Sequence, residues 1–239
     1  MKKLFLIAAT STALLTSATS FADVGQFYLK AEGGASKLNN TKMKWENAKT
    51  KKEDSLKFKA KTNAILGLGA GYYAMDNVRA ELTLDFLINP EFTNTTTEDL
   101  GSKRQEVSKI TAKGQVVSLL LSGYVDLYDA GFAKFFAGAG IGMAQIKEKI
   151  TYDNTTTLDG KVEDTDRGSD TRKPANNFAY QLTVGASANV ADGVNVELAY
   201  SWRDYGETNS KNKDKKETEK LPKTAYRGHN LMAGLRFDI

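Results

Sequence analysis

The chain has no cysteine among its 239 residues. Neither a disulfide framework nor a thiolate metal site is therefore available, and a domain of this size can do without them if a closed hydrogen-bond network holds it together. Histidine is almost as scarce: His229 stands alone, and no paired metal-ligand spacing occurs. After the first two dozen residues no run approaches the roughly 20 apolar residues of a membrane-crossing helix, and mean hydropathy is −0.43. A helical membrane protein is excluded. Charge of one sign is missing too, since 33 basic residues against 29 acidic ones leave +4. Nothing in that balance points to nucleic acid. No metal and no cofactor are expected.

What the sequence does contain begins with an export signal. Lys2 and Lys3 precede an apolar stretch from Leu4 to Leu15, and Ser20-Phe21-Ala22 puts small residues at the −3 and −1 positions of a cleavage site. The pattern predicts a signal peptide over 1–22, cut between Ala22 and Asp23, and one domain over 23–239.

That domain alternates between two textures. Eight segments, 26–37, 63–74, 78–87, 115–126, 134–146, 176–189, 194–205 and 228–239, show every-other-residue apolarity, the signature of a strand. Residues 78–87 are the clearest case: Val78, Ala80, Leu82, Leu84 and Phe86 alternate with Arg79, Glu81, Thr83 and Asp85. A soluble sandwich would bury the apolar face, whereas a membrane barrel turns it to lipid and encloses the polar face.

Several features favour the membrane. The segments are near the 9–11 residues a tilted spanning strand needs. The connections at 75–77, 127–133 and 191–193 are short, while those near 38–62, 88–114, 147–175 and 206–227 are long and polar, the outer-membrane arrangement of periplasmic turns and surface loops. Aromatics gather at the segment ends, with Phe27, Tyr28, Tyr72, Tyr73, Tyr124 and Tyr128 on the short-turn side and Phe86, Phe178, Trp202 and Tyr205 on the loop side, as two interfacial girdles would require. The stretches 74–82 and 190–198 repeat one another around turns of Asp-Asn and Asp-Gly type, suited to hairpins. The expected fold is all-β: an eight-stranded antiparallel up-and-down transmembrane barrel with four long extracellular loops.

Backbone in hydrocarbon tolerates no open edge, so the last strand must close on the first. Eight strands enclose a space that side chains fill. The expected inward set is Lys30, Glu32, Arg79, Glu81, Asp85, Gln181, Glu197, Arg203, Arg236 and Asp238, with signs mixed as a paired ionic lumen demands. Gly67, Gly69, Gly71 and Gly138, Gly140, Gly142 fall on the same inward face, either leaving room for long side chains or easing tight curvature. A plugged barrel, not a porin, is expected.

The stretches 67–79, 136–142, 178–182, 199–206 and 228–237 resemble the eight-stranded outer-membrane surface antigens of the rickettsial "putative adhesin" group. The resemblance implies adhesion to host cells through surface loops, with host surface or serum proteins as partners. The ending, with Gly234, Phe237 and Ile239, resembles the signal read by barrel-assembly machinery, although its last residue is aliphatic and Met232 stands where a polar residue is commoner.

Other chemistry is thin. His229 with Ser201 and either Glu197 or Asp204 would be the one set available to a lipid-modifying barrel enzyme. Loop 38–62 carries eight lysines against three acids, and loop 206–227 seven basic residues against four acids. Closure makes these loops neighbours, so a basic patch for an acidic protein segment or a sulfated glycan is expected from Lys42, Lys44, Lys49, Lys51, Lys52, Lys211, Lys213, Lys215 and Lys216, with Trp45 as apolar anchor. Contact with anionic outer-membrane lipid is the other use for those lysines. An adhesin is the expected function, a structural envelope barrel the alternative, and catalysis the remote third.

Overall fold

The computed structural model describes residues 24–46, 53–101, 103–211 and 223–239. Ala22 and Asp23, at the expected cleavage site, lie outside them. Eight strands form a closed antiparallel barrel: β1 (Phe27–Leu38), β4 (Thr62–Met75), β5 (Val78–Ile88), β7 (Arg104–Asp129), β8 (Lys134–Leu158), β10 (Ala175–Ala191), β11 (Val194–Glu207) and β12 (Ala225–Asp238). The last strand closes on the first, with Arg236 opposite Lys30 and Met232 opposite Gly34.

Each wall strand follows its alternation. On β7, Val117, Leu119 and Leu121 are exposed while Val116, Ser118, Leu120 and Ser122 are buried. Leu66 and Leu68, Leu82 and Leu84, Ile141 and Met143, Leu182 and Val184, and Leu231 and Leu235 continue an outward apolar belt around the barrel. Charged wall residues such as Lys30, Arg79, Glu81, Asp85 and Glu197 are buried while these leucines and valines are exposed, which reverses the soluble arrangement and suits a lipid surround.

The structure departs from the sequence reading above this belt. The long connections contain four further strands, β2 (Thr41–Glu46), β3 (Glu53–Ala60), β6 (Glu91–Gly101) and β9 (Lys161–Thr171). β7 and β8 run on for 26 and 25 residues, far past the roughly ten that a crossing needs. β6, β7, β8 and β9 thus continue outside the belt as one four-stranded antiparallel sheet. Runs such as Thr93–Thr97 and Thr155–Thr157 explain this: β-branched threonine favours the extended chain, yet it supplies no apolar alternation. Asp159 and Gly160, both at positive φ (51° and 77°), close the β8–β9 hairpin as an Asp-Gly turn should.

The aromatic girdle also needs correction. Phe27, Tyr72, Tyr128, Phe86 and Phe178 face outwards, but Tyr28, Tyr73, Tyr124 and Tyr205 are buried inside. Adjacent residues on a strand point to opposite faces, so pairs such as Phe27-Tyr28 and Tyr72-Tyr73 cannot both serve the girdle. The inner ones line the lumen, where Tyr28 packs on Tyr73 with ring centroids 5.3 Å apart.

Some of the inward glycines leave room for side chains, and another lets the strands themselves draw close. A Cβ on Gly71 would lie 2.1 Å from the Tyr28 ring, and one on Gly67 would lie 2.6 Å from the Asp85 carboxylate; these positions give side chains room. At Gly142 a Cβ would instead meet the Leu119 carbonyl oxygen at 2.0 Å, where the strands themselves approach closely.

Candidate functional site

The lumen has two layers. Towards the short turns it is ionic. Lys30 Nζ lies 2.5 Å from Glu81, 3.2 Å from Glu32 and 3.9 Å from Glu197. Arg79 reaches Glu197 at 3.2 Å and Asp126 at 3.0 Å. Arg203 reaches Asp85 at 2.7 Å and Glu32 at 3.7 Å. Arg236 pairs with Glu197 and with Asp238. Glu197, touched by Arg79, Lys30 and Arg236, is the hub. The inward residues taken from the alternation therefore meet in one connected network, in which every cation has a carboxylate. Gln181 also points inward and donates to the Ser122 hydroxyl at 2.8 Å.

Aromatic rings floor this layer, a component the charge pattern did not reveal. The Arg79 guanidinium sits 4.4 Å from the Phe136 centroid and 5.0 Å from that of Tyr124. Arg236 lies over Tyr28 and Tyr73. Stacking on π-faces suits weakly hydrated guanidinium groups.

Towards the loops the filling is apolar. Leu38, Ile65, Leu87, Val116, Leu120, Ile146 and Met232 from the wall meet Phe58 of β3 and Phe92 of β6 in one buried cluster. The folded loops thus insert their own aromatics over the barrel mouth. Phe92 packs edge-on against Tyr226 at 5.2 Å.

Beside that cluster lies a buried clamp. Arg172 Nε is 2.6 Å from Glu148. The hydroxyls of Tyr226 and Thr224 donate to the same carboxylate at 2.7 and 3.4 Å, and Arg172 Nη1 donates to the Asn209 carbonyl at 2.9 Å. The clamp ties the start of the fourth loop to the base of the third. Burial raises the Glu148 carboxyl above its ordinary range, against the opposing pull of Arg172. On the other side, Lys61 donates to Glu91 at 2.6 Å and holds that carboxyl below the usual range.

The expected basic patch is only partly within the described chain. Lys42, Lys44 and Trp45 lie on β2, opposite Lys57, Ser55 and Asp54. Lys211 is exposed, and its carbonyl accepts from the Lys173 N–H at 3.1 Å. Lys49, Lys51, Lys52, Lys213, Lys215 and Lys216 lie outside the described residues. The first loop is tied to the second, with Lys59 opposite Thr93, whereas the fourth is tied to the third. The loop bases do adjoin, the Asn39 N–H donating to the Arg227 carbonyl at 2.8 Å.

The Ser–His arrangement is not assembled. The His229 ring faces outwards, its Nδ1 2.6 Å from the Tyr200 hydroxyl, while Ser201 points into the lumen beside Asn230. The barrel wall separates them.

A lipid-facing belt around an ionic lumen is the geometry of an outer-membrane strand barrel, and the profile of the "Outer membrane protein beta-barrel domain" matches residues 6–237. The chain belongs to that family. Its relatives include a "Putative adhesin" of Rickettsia conorii, 43% identical over 100% of both chains, and one of Rickettsia rickettsii, 40% identical over 100% of both. Among solved structures it is similar to Neisserial surface protein A, at 14% identity and a TM-score of 0.49, over 89% of this chain and 97% of that one. This outer-membrane barrel crosses the bilayer with eight strands and carries its long loops at the cell surface.

Proposed function

We propose that the barrel is a surface adhesin that binds host-cell surface or serum proteins through its external loops, with the 1–22 leader directing export and the C-terminal strand presented to the assembly machinery. The supporting observation is the external sheet. β6, β7, β8 and β9 project as a paired, buried-clamp platform instead of loose chain, so less ordering entropy opposes a partner. The lysine-rich β2–β3 hairpin is joined to that platform and supplies attraction for acidic protein segments or sulfated glycans. The names of the rickettsial relatives point the same way.

The test displays the full chain on the surface of a non-adherent bacterium and measures adherence to host cells and capture of serum proteins. Adherence above the empty strain is expected. It should weaken as salt rises, because screening shortens the reach of charge to about 8 Å near 0.15 M, and it should fall when Lys42, Lys44 and Lys57 are replaced by Glu. A correctly inserted barrel that leaves adherence at the empty-strain level contradicts the reading and favours an envelope-stabilising barrel.

A further inference from the structure

One outward feature belongs to neither the plug nor the loop tips. On the outer wall, Lys113 of β7 stands directly opposite Lys149 of β8, and Lys147 lies one outward position below Lys149. All three are exposed. Like charges directly opposite on a sheet destabilise it. Glu91, opposite Lys113 on β6, relieves little: its carboxylate lies 3.9 Å from Lys113 but 2.6 Å from Lys61. Among the described residues Lys147 and Lys149 have no acidic partner.

Their height supplies the second observation. Along β8 the outward series runs Ile141, Met143, Gln145, Lys147, Lys149; along β7 it runs Leu121, Leu119, Val117, Gln115, Lys113. The lysines thus follow the last apolar outward side chains by two and three outward positions. At about 3.3 Å per residue on a strand tilted about 40°, Lys147 and Lys113 sit roughly 10 Å above the apolar edge. That is headgroup depth, where a lysine stem can lie along the wall and keep its ammonium among the polar headgroups. A triad of cations with only one distant carboxylate, that of Glu91 at 3.9 Å from Lys113, faces the leaflet and suits a multivalent anion lying in it.

We propose that Lys113, Lys147 and Lys149 form a binding site for the phosphorylated headgroup of an outer-leaflet glycolipid, which bridges the opposed lysines. The site lies at the membrane-proximal base of the external sheet, below its tip, and does not depend on the adhesion reading.

The experiment places the full-length barrel in nanodiscs of phosphatidylcholine, with or without a bisphosphorylated glycolipid or its dephosphorylated form. It follows heat unfolding and retained lipid by native mass spectrometry. Retention of the phosphorylated form alone is expected, and replacing all three lysines by Gln should weaken it about a hundredfold. The single variant Lys149→Gln gives a sign test. In phosphatidylcholine it should unfold at a higher temperature than the parent, because repulsion is relieved. With phosphorylated glycolipid present it should unfold at a lower one. The same sign in both membranes, undiminished retention by the triple variant, or displacement of the lipid by millimolar inorganic phosphate would each overturn the proposal.

Discussion

At the scale of single residues, Glu197 carries the largest consequence. It accepts from the Arg79 and Arg236 guanidinium groups and has Lys30 at 3.9 Å, so removing it strands buried positive charge. Deleting one partner of a buried pair typically costs about 3–5 kcal/mol. Glu197→Ala should therefore lower the unfolding temperature of the detergent-solubilised barrel far more than loss of an exposed pair such as Lys103–Asp159, worth at most about 1 kcal/mol. Equal shifts for Glu197→Ala and Lys103→Ala on a heat-modifiability gel would contradict the hub. Glycines give a second contrast. A Cβ on Gly142 meets a backbone carbonyl, while one on Gly123 has nothing within 4 Å. Gly142→Ala should destabilise by about 1–3 kcal/mol, and Gly123→Ala should leave the folded fraction in urea unchanged.

At the scale of elements, the Glu148–Arg172 clamp makes a pH-dependent prediction. In Arg172→Ala the carboxyl loses its cation but keeps its burial. An acid whose pKa is raised in the folded state stabilises that state below the free value and loses the contribution as pH rises through the raised one. The variant's third loop should thus be cut readily by protease near pH 7.5 and be protected again near pH 5, whereas the parent's third loop resists at both. Cleavage independent of pH would rule out Glu148 as the cause. How far these elements were legible depends on which signal each carries. The eight wall strands announce themselves through period-two apolarity, and with them the inward set from Lys30 to Arg236. β6 and β9 do not: their stretches are Thr-, Asp- and Glu-rich, and only threonine's branching and the Asp159-Gly160 turn betray a hairpin. The clamp was illegible, since Glu148, Arg172 and Tyr226 are distant in sequence and look like solvated loop residues until β8, β9 and β12 bring them together. The inner tyrosines depart from the girdle pattern for a local reason, since neighbours on a strand face opposite sides and Tyr28, Tyr73 and Tyr124 take the inward one.

At the scale of the whole molecule, the two stacked layers settle what the barrel can pass. Among the described residues, charged and aromatic side chains fill the turn side of the lumen and an apolar cluster with a paired clamp fills the loop side, so purified protein in a planar bilayer should give no steady large-ion current. Porin-like steps would contradict the plug. The central claim is the inversion of faces, and the absence of cysteine makes it directly measurable. Single cysteines placed from Val116 to Ser122 in liposome-inserted protein should alternate. Positions 117, 119 and 121 should react with a membrane-soluble thiol reagent, and 116, 118, 120 and 122 should not. The opposite phase, or reactivity without a two-residue period, would contradict the account.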